Sequence, residues 1–226
     1  MRVSRLLLLA LVLVLAACGG GDDEPDASST ATTAASTAAS STPGTCETVD
    51  QPEAKPDGGR EAPAGALDED KTYELVVETS CGSFTIRLDQ KTAPKTAASL
   101  VSLAEAGFFN GTTFHRVVPG FVIQGGDPTG TGTGGPGYKT VDVPPAGATY
   151  TEGVVAMAKA GFEAPGTSGS QFFVVTGSDA GLPPEYSVVG KVTDGFEAAL
   201  AIDALGVGDG PPSMPVVIKK VTVESS

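Results

Sequence analysis

The stretch Phe114-His115-Arg116-Val117-Val118-Pro119-Gly120-Phe121-Val122-Ile123-Gln124-Gly125-Gly126-Asp127 reads as two short strands linked by a Pro119-Gly120 turn. It places one guanidinium, one aromatic ring and one primary amide, those of Arg116, Phe121 and Gln124, within ten residues. Working outward, Tyr73 to Thr79 is rich in β-formers. Phe84, Ile86 and Leu88 alternate with polar residues after a Cys81-Gly82-Ser83 turn, which makes an opening hairpin. Further apolar runs at 154–158, 172–176, 188–192 and 216–223 have strand length. Two segments read as helices. Ala97, Leu100, Val101 and Ala104 recur at i, i+3, i+4, i+7 behind Pro94 and before Gly107. A second helix is expected to begin at Asp194, with Glu197 completing a capping box, and to stop near Gly206. Many short strands, Gly/Pro turns and only two helices predict a mainly β fold, a closed or nearly closed antiparallel barrel.

Charge separates this domain from what precedes it. Residues 18–70 carry 12 acidic and 2 basic side chains, against 15 and 10 in residues 71–226. The whole chain of 226 residues has a formal charge of -13, which would repel a phosphate backbone and excludes nucleic acid as the expected partner. One histidine, His115, and three scattered cysteines supply no ligand set for a metal, so none is expected.

Arg2 and Arg5 precede an apolar run from Leu6 to Ala17 that is too short for a membrane-spanning helix and reads as a signal peptide, residues 1–17. Leu15-Ala16-Ala17-Cys18 resembles the lipobox of bacterial lipoproteins, in which the cysteine is lipidated and becomes the mature N-terminus. That resemblance implies an extracytoplasmic domain held to a cell membrane through Cys18. Residues 27–45, almost wholly Ala, Ser and Thr, extend the acidic region into a disordered tether spanning 18–70, followed by a folded domain at 71–226. In an oxidising compartment Cys46 and Cys81 are expected to form a disulfide, two free thiols being the alternative.

Two motifs fail on context. Gly130, Gly132 and Gly135 satisfy G-x-G-x-x-G, but Pro136-Gly137 forbids the helix that a dinucleotide site needs. There is no G-x-S-x-G, and His115 has no neighbouring carboxylate to orient it, so hydrolase chemistry has no support.

The opening stretch has the form F-H-R-x-x-x-x-F-x-x-Q-G-G and here the sequence resembles the cyclophilin family of peptidyl-prolyl cis-trans isomerases. Pro94-Lys95-Thr96-Ala97, Gly132 to Gly135, Gly153 to Ala158, Gly169 to Phe173 and Val188 to Val192 follow in that family's order, so the likeness spans 73–224. It implies an eight-stranded closed barrel capped by two α-helices and a cofactor-free isomerase, by default a monomer. Its implied substrates are X-Pro bonds in unfolded or flexible polypeptides, and assistance in folding exported proteins is the role that follows. Arg116 is the implied catalytic donor. Phe121, Met157, Phe173 and Leu182 are the implied proline pocket, with Gln124 and the backbone at Ala158 and Lys159 holding the preceding carbonyl, and Val122 and Gln171 lining the groove. Gly181 and Tyr186 stand where eukaryotic members carry tryptophan and histidine, Lys159 where asparagine is usual, and Val122 where methionine is frequent. The rival reading on the same groove is a non-catalytic module or holdase that binds proline-containing segments.

Overall fold

The computed structural model describes residues 45–226. The expected signal peptide, the lipobox cysteine Cys18 and the Ala/Ser/Thr tract up to residue 44 lie outside the described residues.

Eight strands close a barrel: β1 (Tyr73–Thr79), β2 (Gly82–Leu88), β3 (Thr112–Val118), β4 (Val122–Asp127), β6 (Val154–Met157), β8 (Phe172–Val175), β9 (Val188–Asp194) and β10 (Val217–Ser225). Their order around it is β1-β10-β3-β4-β8-β6-β9-β2, all pairs antiparallel. The expected closed, eight-stranded, mainly β architecture with two helices is therefore the one observed. A two-stranded ladder of β5 (Thr140–Val141) with β7 (Thr167–Ser168) stands outside it, too short to leave a periodic signal.

Alternation decides which side chains fill the barrel. In β2, Phe84, Ile86 and Leu88 point inward and Ser83 and Arg87 outward. The interior is closed by aromatic edges on faces: the Phe172 ring lies 6.1 Å from both Phe109 and Phe114, at 81° and 86°. Each such ring contributes about 1.5–3 kcal/mol by burial alone.

Helix α1 (Pro94–Glu105) starts and stops as expected, with Pro94 in its first turn and Gly107 (φ 64°) just beyond its end. Helix α2 (Phe196–Asp203) corrects the expected cap. Asp194 is the last residue of β9, paired with Thr85, and the N-cap is Gly195 at φ 70° with no side-chain cap bond. The chain turns from strand to helix against the Ser83 carbonyl, where a Cβ would collide, so backbone shape overrides the local Asp/Glu signal.

The second correction concerns residues 45–70, read above as part of a disordered tether. They have no regular secondary structure, yet they run as a strap along the barrel. The amides of Glu47, Lys55, Gly58 and Arg60 donate to the carbonyls of Ser80, Pro128, Gly135 and Pro136. Lys55 Nζ donates to the carbonyls of Gly107, Phe108 and Asn110 and sits 5.6 Å from the Phe108 ring centroid. Cys46 and Cys81 are joined as a disulfide, as expected, which fixes the start of the strap to the β1–β2 turn. The partners are backbone groups of loops, which is why a polar, Pro-rich segment finds an ordered path.

Candidate active site

Strand register assembles the site. Arg116 pairs with Gln124, Gln124 with Phe173, and Phe173 with Ala156, so four adjacent strands carry one row of side chains on the outer face. The interior residues Val117, Ile123, Val174 and Val155 alternate with that row and anchor it from behind.

Hydrogen bonds run along the row. Arg116 Nε donates to Asp209 Oδ1 at 2.6 Å, and Nη2 to Oδ2 at 3.0 Å. Arg116 Nη1 donates to Gln124 Oε1 at 3.2 Å. Gln124 Nε2 donates to Gln171 Oε1 at 3.0 Å, and Gln171 Nε2 to the Gly134 carbonyl at 2.9 Å. Arg116 is 32% exposed, which leaves the guanidinium reachable by a ligand. Its pairing holds the Asp209 carboxyl below the usual carboxylate value.

Beside the polar row is an apolar cluster of Val122, Tyr150, Ala156, Phe173 and Val175, flanked by Phe121, Ala158, Leu182 and Tyr186. The Tyr186 ring meets Phe173 edge-on at 5.7 Å, and its backbone is clasped by the Tyr150 hydroxyl, which donates to the Tyr186 carbonyl and accepts from its amide. The position of Phe121 is set by its turn: Asp203, at the end of α2, accepts from the Gly120 amide and from the Thr176 hydroxyl. The Lys159 side chain is only 2% exposed, pairs with Glu185 at 3.0 Å, and its ammonium lies 5.5 Å from the Tyr186 ring centroid. That ammonium is held by these neighbouring groups and donates also to the Glu163 carbonyl at 3.1 Å.

Of the residues singled out in the sequence, Arg116, Phe121, Val122, Gln124, Ala158, Gln171, Phe173 and Leu182 come together here. Met157 does not. It belongs to the barrel interior, fully buried, because β6 sends Val155 and Met157 inward and Ala156 outward. Sequence reasoning missed Asp209 and Tyr150. Asp209 is 93 residues from Arg116 in a Gly/Pro loop and carries no local signal, and Tyr150 lies in irregular chain.

The Gly-rich segment after β4 walls one side of the groove. Asp127, fully buried, accepts from the Thr129 amide and hydroxyl and from the Gly132 amide, so it organises that loop. Gly132, Thr133 and Gly134 then line a cleft of about 330 Å³ with Gln124, Lys159 and Gln171. A larger surface cleft, about 640 Å³ between β2, β9 and residues 69–72, holds none of the row.

The model of the cyclophilin type peptidyl-prolyl cis-trans isomerase family matches residues 74–223. Peptidyl-prolyl cis-trans isomerase A of Mycobacterium tuberculosis is 38% identical over 172 residues, covering 67% of this chain and 92% of that one. A peptidyl-prolyl cis-trans isomerase of Helicobacter pylori is 38% identical over 157 residues, covering 69% and 90%. Among solved structures, a cyclophilin type isomerase of Cryptosporidium parvum superposes with a TM-score of 0.63 at 32% identity, covering 69% of this chain and 99% of that one. The same protein was also solved in the presence of the dipeptide Ala-Pro. With the family model matching residues 74–223, nearly the whole barrel, and relatives 38% identical along it, this chain belongs to the cyclophilin-type peptidyl-prolyl cis-trans isomerases.

Proposed function

We propose that the isomerase activity resides in the row Arg116, Gln124, Phe173 and the apolar cluster beside it. The observation that carries this is the register, which brings a fixed guanidinium into one row with Gln124 and with Phe173 of the apolar cluster. An X-Pro bond resists rotation by about 18–20 kcal/mol because the nitrogen lone pair is delocalised into the carbonyl. A catalyst need only favour the twisted amide, where that pair is localised on nitrogen. The Phe121, Phe173 and Leu182 side chains take the proline ring, and Gln124 holds the preceding carbonyl. Arg116, charged at any physiological pH, donates to the prolyl nitrogen as the amide twists. One preorganised donor of this kind is worth about 3–4 kcal/mol, a factor of several hundred in rate.

Exchange spectroscopy on an X-Pro tetrapeptide with the full-length protein tests the assignment. Arg116→Ala is expected to lower turnover several-hundredfold while peptide affinity stays within about threefold. A wild-type protein that binds the peptide without accelerating exchange would instead make the groove a binding module.

The location of this activity follows from the N-terminal sequence. Lipidated Cys18 anchors the protein at the outer side of a cell membrane, and its substrates are exported polypeptides still unfolded or flexible around proline. The Cys46–Cys81 disulfide supports that placement, since such bonds persist in oxidising compartments.

A further inference from the structure

Arg116 projects from the outer face of β3 and is partly exposed, where a long flexible side chain would ordinarily sample several rotamers. It does not do so freely here, because a second element is docked against it. The loop between α2 and β10 returns to β3 through a single antiparallel bridge, in which the Val117 amide donates to the Gly210 carbonyl at 2.8 Å. The Ser213 amide closes the loop on the Leu205 carbonyl. Gly206 permits the approach: a Cβ there would stand 2.6 Å from Pro119 Cγ and 2.9 Å from Val117 Cγ1. Asp209, one residue before the bridge, is thereby held opposite Arg116 by main-chain bonds rather than by its own side chain.

The carboxylate takes the Nε and Nη2 edge of the guanidinium in a bidentate pair, while Gln124 takes Nη1. Two partners on two edges fix the plane of the guanidinium and leave one N–H on each Nη nitrogen unassigned. Asp209 is 65% exposed, and an ion pair so wet contributes little to folding. Its geometry is matched instead to the one group whose direction determines turnover.

We propose that Asp209 is a positioning residue for Arg116: the α2–β10 loop presents its carboxylate so that the guanidinium is oriented toward the prolyl nitrogen before substrate arrives. This rests on Arg116 being the donor. With Asp209 neutralised, the guanidinium spends less time in the productive orientation. A peptide that is bound mainly by the apolar wall and Gln124 still binds.

Asp209→Asn, which keeps shape and removes charge, is expected to lower turnover about fivefold, the range of a single exposed ion pair. Peptide affinity measured by NMR titration should change less than about twofold, and the thermal midpoint should stay in place. The Arg116 Nε–H resonance should shift in the free protein, Asp209→Glu should restore most of the turnover, and Asp209→Asn should add nothing to Arg116→Ala. Turnover within twofold of wild type, or raised above it, overturns the proposal, and so does an affinity loss that accounts for the whole drop. The two assignments separate cleanly: retained turnover in Arg116→Ala sinks the donor itself. Lost turnover there, with Asp209→Asn unaffected, sinks only the positioning role.

Discussion

Removing the Cys46–Cys81 disulfide is expected to cost this protein a large part of its stability. The two residues are 35 apart in sequence, and one of them, Cys81, is fully buried in the barrel cluster. In the chain-entropy account, cross-linking a loop of that length withdraws about 13 cal/mol/K from the unfolded ensemble, or about 4 kcal/mol at 25 °C. For a folded unit of this size such a change lowers the thermal midpoint by about 8–16 °C. The full amount appears only if strap and barrel unfold together, and the hydrogen bonds of Glu47, Lys55, Gly58 and Arg60 to barrel loops are what couple them. The assay compares thermal unfolding of oxidised protein with Cys46→Ala/Cys81→Ala, using dithiol-reduced wild type as the control in which no atom is deleted. Hydrogen exchange follows the four strap amides in the same samples. A midpoint shift below about 2 °C would refute the reasoning, because a strap that peels away by itself carries no share of the global stability.

Two further perturbations read other parts of the molecule. His115 is the chain's single histidine, and both its ring nitrogens lie out of solvent with no protein partner among the described residues. Burial lowers its pKa, partly opposed by the Asp127 carboxylate, so stability is complete above the ordinary value near 6.5 and is lost as pH falls through the lowered one. Denaturant midpoints at about pH 7 and pH 5.5 should therefore fall more for wild type than for His115→Asn, and equal losses would contradict this. At the other end of the chain, Cys18→Ser should move the protein from the membrane fraction to the soluble one with turnover unchanged. Retention on the membrane would remove the lipid anchor.

The barrel was legible because its strands advertise themselves. Phe84, Ile86 and Leu88 alternate, and the two helices carry either the 3.6-residue period or a turn glycine. Where both faces of a strand are apolar, the parity is hidden. Val154 to Ala158 packs barrel core on one side and groove on the other, so nothing in the run says that Met157 belongs to the first and Ala156 to the second. Local signals also lose to tertiary ones. Asp194 and Glu197 spell a capping box, yet pairing with Thr85 keeps Asp194 in β9. The strap reads as disordered because composition reports what a segment can bury, whereas its order comes from a disulfide and from loop carbonyls elsewhere in the chain. Asp209 is the extreme case, since only the bridge from Val117 to Gly210 tells which side chain it meets.

The polarity of the groove follows from the same hydrogen bonds. Gln124 accepts from Arg116 through Oε1, so its Nε2 must be the end that faces Gln171, and one N–H of that amide is left over. Gln171 has likewise committed Oε1 to Gln124 and one N–H to the Gly134 carbonyl. Arg116 has spent three of its five N–H groups, two on Asp209 and one on Gln124. What the row still offers to a ligand is therefore more donors than acceptors, because the Gln124 and Gln171 oxygens each keep one lone pair while the N–H groups left over are more numerous. An X-Pro unit is the complementary case: the prolyl nitrogen has no hydrogen to give, and the preceding carbonyl can only accept. An ordinary peptide bond brought to the same place would add an N–H to a row already richer in donors than in acceptors, and a donor left unpaired there is costly once water is excluded. Nearby cations are silenced as well, Lys159 by Glu185 and Lys139 by Glu163, so no free charge on these residues selects the neighbours of the proline. On the proposed assignment, discrimination for proline over other residues would come from the surplus of donors over acceptors in the row as well as from the fit of the ring against Phe173.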